Sequence, residues 1–274
     1  MNIFEGLICP VCSAALMKQE STLRCENRHC FDIASSGYVN LLKPGKKNNA
    51  KAGDSREMIR ARTDFFESDA YGGVAKSICA IVDKLSPHTI IDAGCGEGYY
   101  TQFMATDPSR FVYGVDMSKF GCEHGAKSAK RNGLNNLVYC VGSIFELPFA
   151  SESTDLIVNM FAPVADQEFF RVLKKGGHFV VAAAGIDHLD GLKSLLYDNV
   201  YKNEEKFLEF DGFELIGQEN LKYTAKITGN QTIFNLFTMT PYYHRTCLED
   251  KKKLELVNEL ETTVEVNFLI YRKI

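Results

Sequence analysis

The chain has 274 residues, of which 45% are hydrophobic and 24% are charged, and its formal net charge at pH 7 is −4. This length and composition fit a globular protein with one large core and a small appendage. The negative net charge excludes a protein that binds nucleic acid with its whole surface. No apolar run reaches the ~18 residues of a membrane helix, and the N-terminus lacks the basic and apolar regions of a secretory signal.

Charge is distributed unevenly along the chain. Residues 1–62 contain ten Lys/Arg and six Asp/Glu, a net charge of +4, whereas residues 63–274 contain 21 and 29, a net charge of −8. This asymmetry permits a local contact with a polyanion at the N-terminal end. A solvated basic face would have the same composition.

The cysteines fall into two groups. Five stand singly in apparent core segments: Cys79, Cys95, Cys122, Cys140 and Cys247. This distribution indicates buried free thiols in a reducing compartment, so we expect a cytoplasmic protein. The other four lie within the first 30 residues.

These N-terminal cysteines have the spacing of a metal site. Cys9 and Cys12 form a Cys-x2-Cys pair, and after twelve residues Cys25 and His29 follow as Cys-x3-His. Two ligand pairs joined by a short hairpin are typical of tetrahedral zinc, which thiolates and imidazole suit better than Mg²⁺ or Ca²⁺. We therefore predict a zinc-binding domain over residues 1–36 that is folded by its metal. The alternatives are a redox pair or ordinary core cysteines.

The identity of the fourth ligand is open, because Cys30 follows His29 directly. We favour His29, since the adjacent Phe31 is expected to anchor this unit in a core. The resulting donor set has three thiolates and one imidazole.

Residues 37–85 are predicted to form a connector with two helices. Its first part carries four lysines without an acid, on a Gly/Asn background typical of a mobile loop: Lys43, Lys46, Lys47 and Lys51. Asp54 or Ser55 then caps a helix that continues through Phe66, and a second helix runs from about Tyr71 to Leu85.

From residue 89 onward, apolar strands alternate with helical patterns. The predicted strands are 89–93, 111–115, 137–141, 155–161 and 178–184, and the predicted helices are 98–106, 118–131, 165–174 and 188–200. This alternation predicts an α/β fold with a doubly wound parallel sheet covered on both faces, in a domain over 86–274. Residues 222–228 and 262–272 alternate apolar and polar side chains around a helix at 230–238, which predicts an antiparallel hairpin at one sheet edge.

The first of these strands leads into a glycine loop. Asp92 is followed by Gly94, Gly96 and Gly98, with Glu97 between the last two. Glycines at alternate positions let a backbone pass close to a ligand where a Cβ would clash. The spacing is GxGxG and not the GxGxxG of dinucleotide-binding folds, which disfavours a nicotinamide enzyme.

Further polar residues follow the neighbouring strands. Asp116, with Met117 beside it, ends the second strand 24 residues after Asp92, a spacing at which an acid binds ribose hydroxyls. Ser143 and Ile144 follow the third strand. Ligands of doubly wound sheets bind at the carboxyl ends of the strands, so these side chains are expected to share one site.

Taken in order, these positions resemble the class I S-adenosylmethionine methyltransferases, whose sheet has a Rossmann-like core. The whole chain resembles a narrower family, the bacterial 23S rRNA guanine-N1 methyltransferases that contain zinc. The segments that carry this resemblance are Cys-Pro-x-Cys, Cys-x3-His, Phe31-Asp32, Gly-Tyr-Val-Asn-Leu-Leu, Gly-Asp-Ser, Asp-x-Gly-Cys-Gly-Glu-Gly-Tyr-Tyr, Ala162-Pro163 and Met239-Thr240-Pro241.

The resemblance implies methyl transfer from S-adenosylmethionine to a guanine in a domain II hairpin loop of 23S rRNA, near the peptide exit tunnel. It also implies a homodimer whose paired zinc units frame an RNA cleft. The implied zinc ligands are Cys9, Cys12, Cys25 and His29, and the implied cofactor contacts are Tyr71, Gly96, Glu97, Gly98, Asp116 and His188. Ser143 stands where many methyltransferases have an acid that faces the adenine, so the backbone of Ile144 is the alternative contact.

Three residues are candidates for contact with the guanine that accepts the methyl group. Asn159, at the end of the fourth strand, is a candidate to orient the Watson–Crick edge of the guanine, although its segment departs from the Asp/Asn-Pro-Pro-aromatic pattern. Phe161 is a candidate to stack on a flipped base, or else a core aromatic. Asp187 is the candidate general base. The expected RNA contacts are the zinc unit with Lys18, Arg24, Arg28, Lys43, Lys46, Lys47 and Lys51.

Two other functions remain compatible with parts of the sequence. A small-molecule methyltransferase, for example one that acts on quinones, would need neither the zinc unit nor the lysine-rich connector. A non-enzymatic RNA- or protein-binding module would not need the intact glycines, Asp92 and Asp116.

Overall fold

The computed structural model describes residues 3–43, 54–200, 202–204 and 209–274. Its N-terminal unit is a small antiparallel sheet of β1 (Met17–Gln19), β2 (Thr22–Arg24) and β3 (Cys30–Asp32). The next strand, β4 (Val39–Asn40), does not belong to this unit. It joins the edge of the main sheet, so the predicted connector begins as part of the large domain. Lys46, Lys47 and Lys51 lie outside the described residues.

Two helices precede the main sheet, as predicted. Helix α1 (Arg56–Phe66) begins after Ser55, whose Oγ accepts a hydrogen bond from the Met58 N–H at 3.2 Å. Helix α2 (Gly72–Leu85) buries one apolar face and ends at Ser86, in the left-handed conformation.

Strands and helices then alternate as expected. They are β5 (Thr89–Ala93), α3 (Tyr99–Met104), β6 (Phe111–Asp116), α4 (Lys119–Arg131), β7 (Leu137–Val141), β8 (Thr154–Met160), α5 (Asp166–Val172), β9 (Leu173–Ala184) and α6 (Asp190–Leu196). Within the main sheet, strands β4 to β9 run parallel to one another. The carboxyl ends of β5, β6, β7 and β8 therefore meet at one edge.

The C-terminal part closes the sheet with a long hairpin. Its elements are β10 (Phe213–Thr228), α7 (Asn230–Thr238), α8 (Tyr242–Arg245), α9 (Leu248–Lys252), a 3₁₀ turn (Lys253–Leu256) and β11 (Glu259–Lys273). Strand β11 lies between β9 and β10 and is antiparallel to both, giving the order β10-β11-β9-β8-β5-β6-β7-β4. The predicted edge hairpin is confirmed, and both strands are longer than expected because they pair along their whole length.

One predicted boundary is wrong. We expected a helix over 165–174, but α5 ends at Val172 and Leu173 already pairs with Thr154 of β8. The pairing is irregular between this pair and the next, and Gly176 in this stretch has φ +76°.

The two faces of the main sheet are covered differently. One face packs against α1 to α4 and the C-terminal helices. The other packs against α5 and the N-terminal unit, whose Leu7, Leu16 and Leu23 are buried with Val115 and Phe149. No helix in the described residues is long and apolar enough to cross a membrane.

Candidate active site and metal centre

Four N-terminal side chains converge at the tip of the small unit. The Sγ atoms of Cys12 and Cys25 are 3.7 Å apart, and His29 Nδ1 lies 3.5 Å from Cys9 Sγ and 3.4 Å from Cys25 Sγ. All four donor atoms lie within 4.8 Å of one another. Tetrahedral zinc with Zn–S of ~2.3 Å and Zn–N of ~2.0 Å implies edges of about 3.8 Å and about 3.6 Å. The donor set therefore has the spacing and the chemistry that fit zinc.

The structure distinguishes between His29 and Cys30, the two candidates for the fourth zinc ligand. Cys30 is exposed and is not part of the cluster, because it begins β3 and pairs with Arg24. His29 precedes that strand and turns its ring toward Cys9 and Cys25.

The glycine loop lies at the carboxyl end of β5 and all three glycines have a left-handed backbone. The φ angles are +86° at Gly94, +57° at Gly96 and +83° at Gly98. A Cβ built on Gly94 would lie 2.5 Å from the Ala162 Cβ, and one on Gly98 would overlap the Tyr139 hydroxyl. The left-handed φ angles and these clashes both exclude larger residues, so the loop exposes backbone without side chains at the strand ends.

Asp116 is tied to this loop. One of its carboxylate oxygens accepts from the Gly96 N–H at 3.0 Å, and the other accepts from the Ser118 N–H at 2.7 Å. Burial raises the pKa of Asp116. Each oxygen retains a lone pair, so the carboxylate can also accept from the hydroxyls of a ribose.

The cradle around the loop holds buried polar atoms that have no partner. Among the described residues these are Asp92 Oδ1, Tyr100 Oη and Asn159 Oδ1. Asp92 and Tyr100 flank the loop in sequence, and Asn159 donates to the Ala93 carbonyl at 3.1 Å. Unpartnered buried polar atoms are rare in folded proteins. Three of them around one loop fit a site that a polar cofactor completes.

The loop also contains an ion-pair network that the sequence did not indicate. Arg62, on α1, pairs with Glu97 at 3.2 Å and with Asp54 at 2.5 Å. Burial raises the pKa of Glu97 to about 7, against the opposing effect of the Arg62 charge. No local pattern predicts the pairing of Arg62 with Glu97, because it joins residues 35 positions apart.

Tyr71 and His188 meet in the buried part of the site. The Tyr71 hydroxyl lies 3.0 Å from His188 Nε2, and His188 Nδ1 accepts from the Glu265 N–H at 3.2 Å. Burial lowers the pKa of His188 to about 4, so the ring is neutral at pH 7. Since Nδ1 is an acceptor, the proton is on Nε2 and is donated to Tyr71.

Phe161 lies at the open side of this pair. Its ring is stacked with the His188 ring, with centroids 5.9 Å apart and planes at 28°, and the residue is 42% exposed. The backbone has φ +56°, which is unfavourable for an aromatic residue and is held by the Phe161 N–H bond to Ala182. An exposed ring in a strained position beside the loop is typical of a binding surface and not of a core.

The two candidates for catalysis lie in different surroundings. Asn159 is fully buried, and its amide NH₂ donates to the carbonyls of Ala93 and Pro163. Asp187 pairs with Lys202 at 2.7 Å and with Lys222 at 2.6 Å, and hydrogen bonds from these lysines lower its pKa to about 2. Such a carboxylate is a weak base at pH 7.

Ser143, Ile144 and Met117 lie together on the other side of Asp116. Strand β7 pairs with β6, and the Gly142 N–H donates to the Asp116 carbonyl at 2.9 Å, which brings the two strand ends together. Ser143 Oγ accepts from the Phe145 N–H at 3.2 Å. Position 143 therefore carries a hydroxyl that is bonded within its own turn, and not the acid that many methyltransferases have there.

Known protein families match both parts of the chain. A family model described as "Methyltransferase domain" matches residues 85–237, and one described as "RlmA, N-terminal", a zinc ribbon, matches residues 7–51. The chain is 29% identical to the 23S rRNA (guanine(748)-N(1))-methyltransferase of Streptomyces fradiae, over 99% of this chain and 98% of the relative.

Two further relatives carry related names. The putative 23S rRNA (guanine-N(1)-)-methyltransferase YxjB of Bacillus subtilis is 27% identical, over 98% of both chains. That of Micromonospora griseorubida is 30% identical, over 69% of this chain and 68% of the relative. The chain thus belongs to the zinc-containing 23S rRNA (guanine-N1)-methyltransferase family, with zinc and S-adenosylmethionine as its cofactors.

Proposed function

We propose that this protein transfers a methyl group to N1 of a guanine in a hairpin loop of 23S rRNA, in the cytoplasm. The observation that carries the proposal is its similarity to the Streptomyces fradiae enzyme over the full chain, the zinc ribbon included. A small-molecule acceptor would require no such ribbon.

In this proposal the zinc ligands are Cys9, Cys12, Cys25 and His29. The cofactor contacts are Tyr71, Asp92, Gly94, Gly96, Glu97, Gly98, Asp116, Met117, Ser143, Ile144 and His188. When bound, S-adenosylmethionine supplies an electrophilic methyl group on a positively charged sulfonium. The carboxylates of Asp92 and Asp116 would favour a ligand of net positive charge, whereas the charge of Glu97 is compensated by Arg62. Asp116 would accept hydrogen bonds from the ribose hydroxyls of the cofactor.

Phe161 provides the surface for the acceptor base. Its exposed ring stacks on a guanine that has left the RNA stack, and the neutral His188 behind it keeps the ring in place. Catalysis then depends mainly on positioning N1 in line with the methyl group.

The roles of Asn159 and Asp187 follow from their surroundings. Asn159 holds the end of β5 against Pro163 and so positions both the loop and Phe161. Asp187 pairs with lysines at the rim and is a poor acceptor for the N1 proton, which passes to water.

RNA is bound by the basic N-terminal side of the molecule. Lys18, Arg24, Arg28 and Lys43 are exposed there. Lys46, Lys47 and Lys51, which lie outside the described residues, are further proposed RNA contacts. Two copies arranged as a homodimer would place two zinc ribbons around one RNA hairpin.

The test is methyl transfer to 23S rRNA from a strain that lacks the enzyme, with the product nucleotide mapped. We expect one N1-methylguanine in a hairpin loop, and none with a Gly96→Arg variant as control. Transfer to a quinone acceptor with none to RNA would overturn the proposal.

A further inference from the structure

The zinc ribbon packs directly on the segment that follows β7. The Ile8 N–H donates to the Pro148 carbonyl at 2.9 Å, and Leu7 forms an antiparallel bridge with Phe149. These contacts extend to the metal site, because Ile8 is adjacent to Cys9 and both Cys9 and Cys25 are buried in the same apolar cluster as Leu7.

The segment in question, residues 143–149, begins at the proposed adenine contacts. Ile144, Leu147 and Phe149 are buried in the cluster that also contains Leu7 and Cys9. The segment contains no helix or named strand, and a turn between Ser143 and Glu146 is its main internal structure. Beyond that turn, its conformation depends on the parts of the molecule that pack against it.

Two groups of contacts hold this segment from opposite sides. On the side of α5, the Leu147 N–H donates to Glu168 Oε1 at 2.6 Å, and Arg171 donates to the carbonyls of Leu147 and Phe149 at 3.0 Å and 2.7 Å. On the side of the ribbon, the contacts are those of Leu7 and Ile8. The ribbon thus supplies one of these two groups of contacts.

A cleft of about 690 Å³ lies beside these contacts, and Ile8 and Pro148 are among the residues that line it. Its lining also includes Pro10 and Val11 of the zinc knuckle, together with Met117 and Ser143. The metal centre and the adenine side of the cofactor site therefore face the same cavity.

We propose that the zinc ribbon positions residues 143–149, so that zinc occupancy and affinity for S-adenosylmethionine are coupled. The inference rests on the proposed cofactor contacts at Met117, Ser143 and Ile144. Without zinc the Cys9–Cys12 knuckle loses its fixed geometry, Leu7 and Ile8 lose their alignment, and the adenine side of the site widens. Leu7 and Ile8 are then positioning residues of the cofactor site, although neither lies on the methyltransferase sheet.

The first experiment measures S-adenosylhomocysteine and S-adenosylmethionine binding by calorimetry, for the zinc-loaded full chain and after chelation. We expect the dissociation constant to rise about tenfold on zinc removal. Because coupling is reciprocal, saturating cofactor should raise zinc affinity by the same factor in a competition with a chelator of known affinity.

A second variant separates positioning from loss of the metal. Ile8→Pro removes the N–H that bonds to Pro148 and leaves the four donor side chains in place. It should retain one equivalent of zinc, bind the cofactor about tenfold more weakly, and lose little more when zinc is removed. Met17→Ala, at an exposed position on β1, is the matched control and should behave as the unmodified protein.

The outcomes distinguish the two proposals. If the zinc-loaded protein binds no cofactor at all, the proposed function fails. If it binds the cofactor and Ile8→Pro and chelation both leave the dissociation constant unchanged, the coupling is refuted and the proposed function stands.

Discussion

Replacing Asp92 by asparagine should stabilise the cofactor-free protein at pH 8 and weaken its binding of S-adenosylmethionine. Asp92 is 1% exposed at the end of β5, and only one of its oxygens has a partner, the Thr101 hydroxyl at 2.5 Å. Burial raises the pKa of Asp92 to about 7. The folded protein thus destabilises the charged form of Asp92 when no cofactor is bound.

The size of the effect follows from this pKa. An unfolded Asp loses its proton near pH ~3.9, whereas folded Asp92 keeps it to about 7. Between these values the folded state binds the extra proton, so the free energy of unfolding falls as pH rises, by about 4 kcal/mol in total. The side-chain amide of the Asp92→Asn variant would avoid this penalty, but its NH₂ would lack a partner at a cost of about 1–3 kcal/mol.

At pH 8 the Asp92→Asn variant should therefore gain about 1–3 kcal/mol in free energy of unfolding over the unmodified protein. At pH 5 this gain should disappear or become a loss, because Asp92 is then protonated in the folded state. Thermal unfolding without cofactor, at pH 5 and pH 8, measures the difference, at roughly 2 °C for each kcal/mol in a chain of this size. Exposed Asp211→Asn is the matched control. If the unmodified protein and Asp92→Asn lose equal stability between the two pH values, the buried carboxylate is not protonated and the reasoning fails.

Three other substitutions test the site. Gly98→Ala should abolish cofactor binding in calorimetry, because its backbone has φ +83° and the new Cβ would overlap the Tyr139 hydroxyl; unchanged affinity would contradict the glycine cradle. Cys9→Ser should lose one equivalent of zinc by metal analysis, while the exposed Cys30→Ser keeps it; the reverse result would replace Cys9 by Cys30 in the donor set. Phe161→Ala should raise KM for RNA about tenfold or more through the lost stacking and leave cofactor affinity unchanged, whereas Phe161→Tyr should retain activity; an effect on cofactor affinity alone would place Phe161 outside the base-binding surface.

Much of the fold was accessible from the sequence because its signals are local. The alternation of apolar strands and helices predicts the parallel sheet, and the helix that starts at Ser55 and the C-terminal hairpin were also predicted correctly. The boundary predicted at residue 174 was wrong because the local sequence there is misleading. A Leu-Lys-Lys-Gly-Gly run has the composition of a helix end and a turn, and only pairing with Thr154 makes it a strand.

In the candidate site, too, some features were predictable from local sequence and others were not. Glycine spacing and cysteine spacing are properties of short segments, so they identify a nucleotide-like cradle and a metal knuckle without a structure. The pairing of Arg62 with Glu97, or of Tyr71 with His188, joins residues 35 and 117 positions apart, and no local pattern records it. Asn159 and Asp187 illustrate the limit of residue type alone. Only the structure shows that Asn159 is fully buried and that Asp187 is paired with Lys202 and Lys222, and the non-catalytic roles proposed above rest on these surroundings.

Residue types and their spacing were enough to indicate a zinc site and a nucleotide-like cradle, because ligand chemistry at cysteine and backbone freedom at glycine are local properties. S-adenosylmethionine and the class of reaction came from the resemblance of the whole chain to a known family. What surrounds these groups became known only from the folded chain. The N-terminal unit covers one face of the main sheet, where its metal ligands share a core with the residues after β7. That arrangement depends on apolar contacts between segments far apart in the sequence. Many such contacts are compatible with the composition of the chain, and only the close-packed fold shows which of them form.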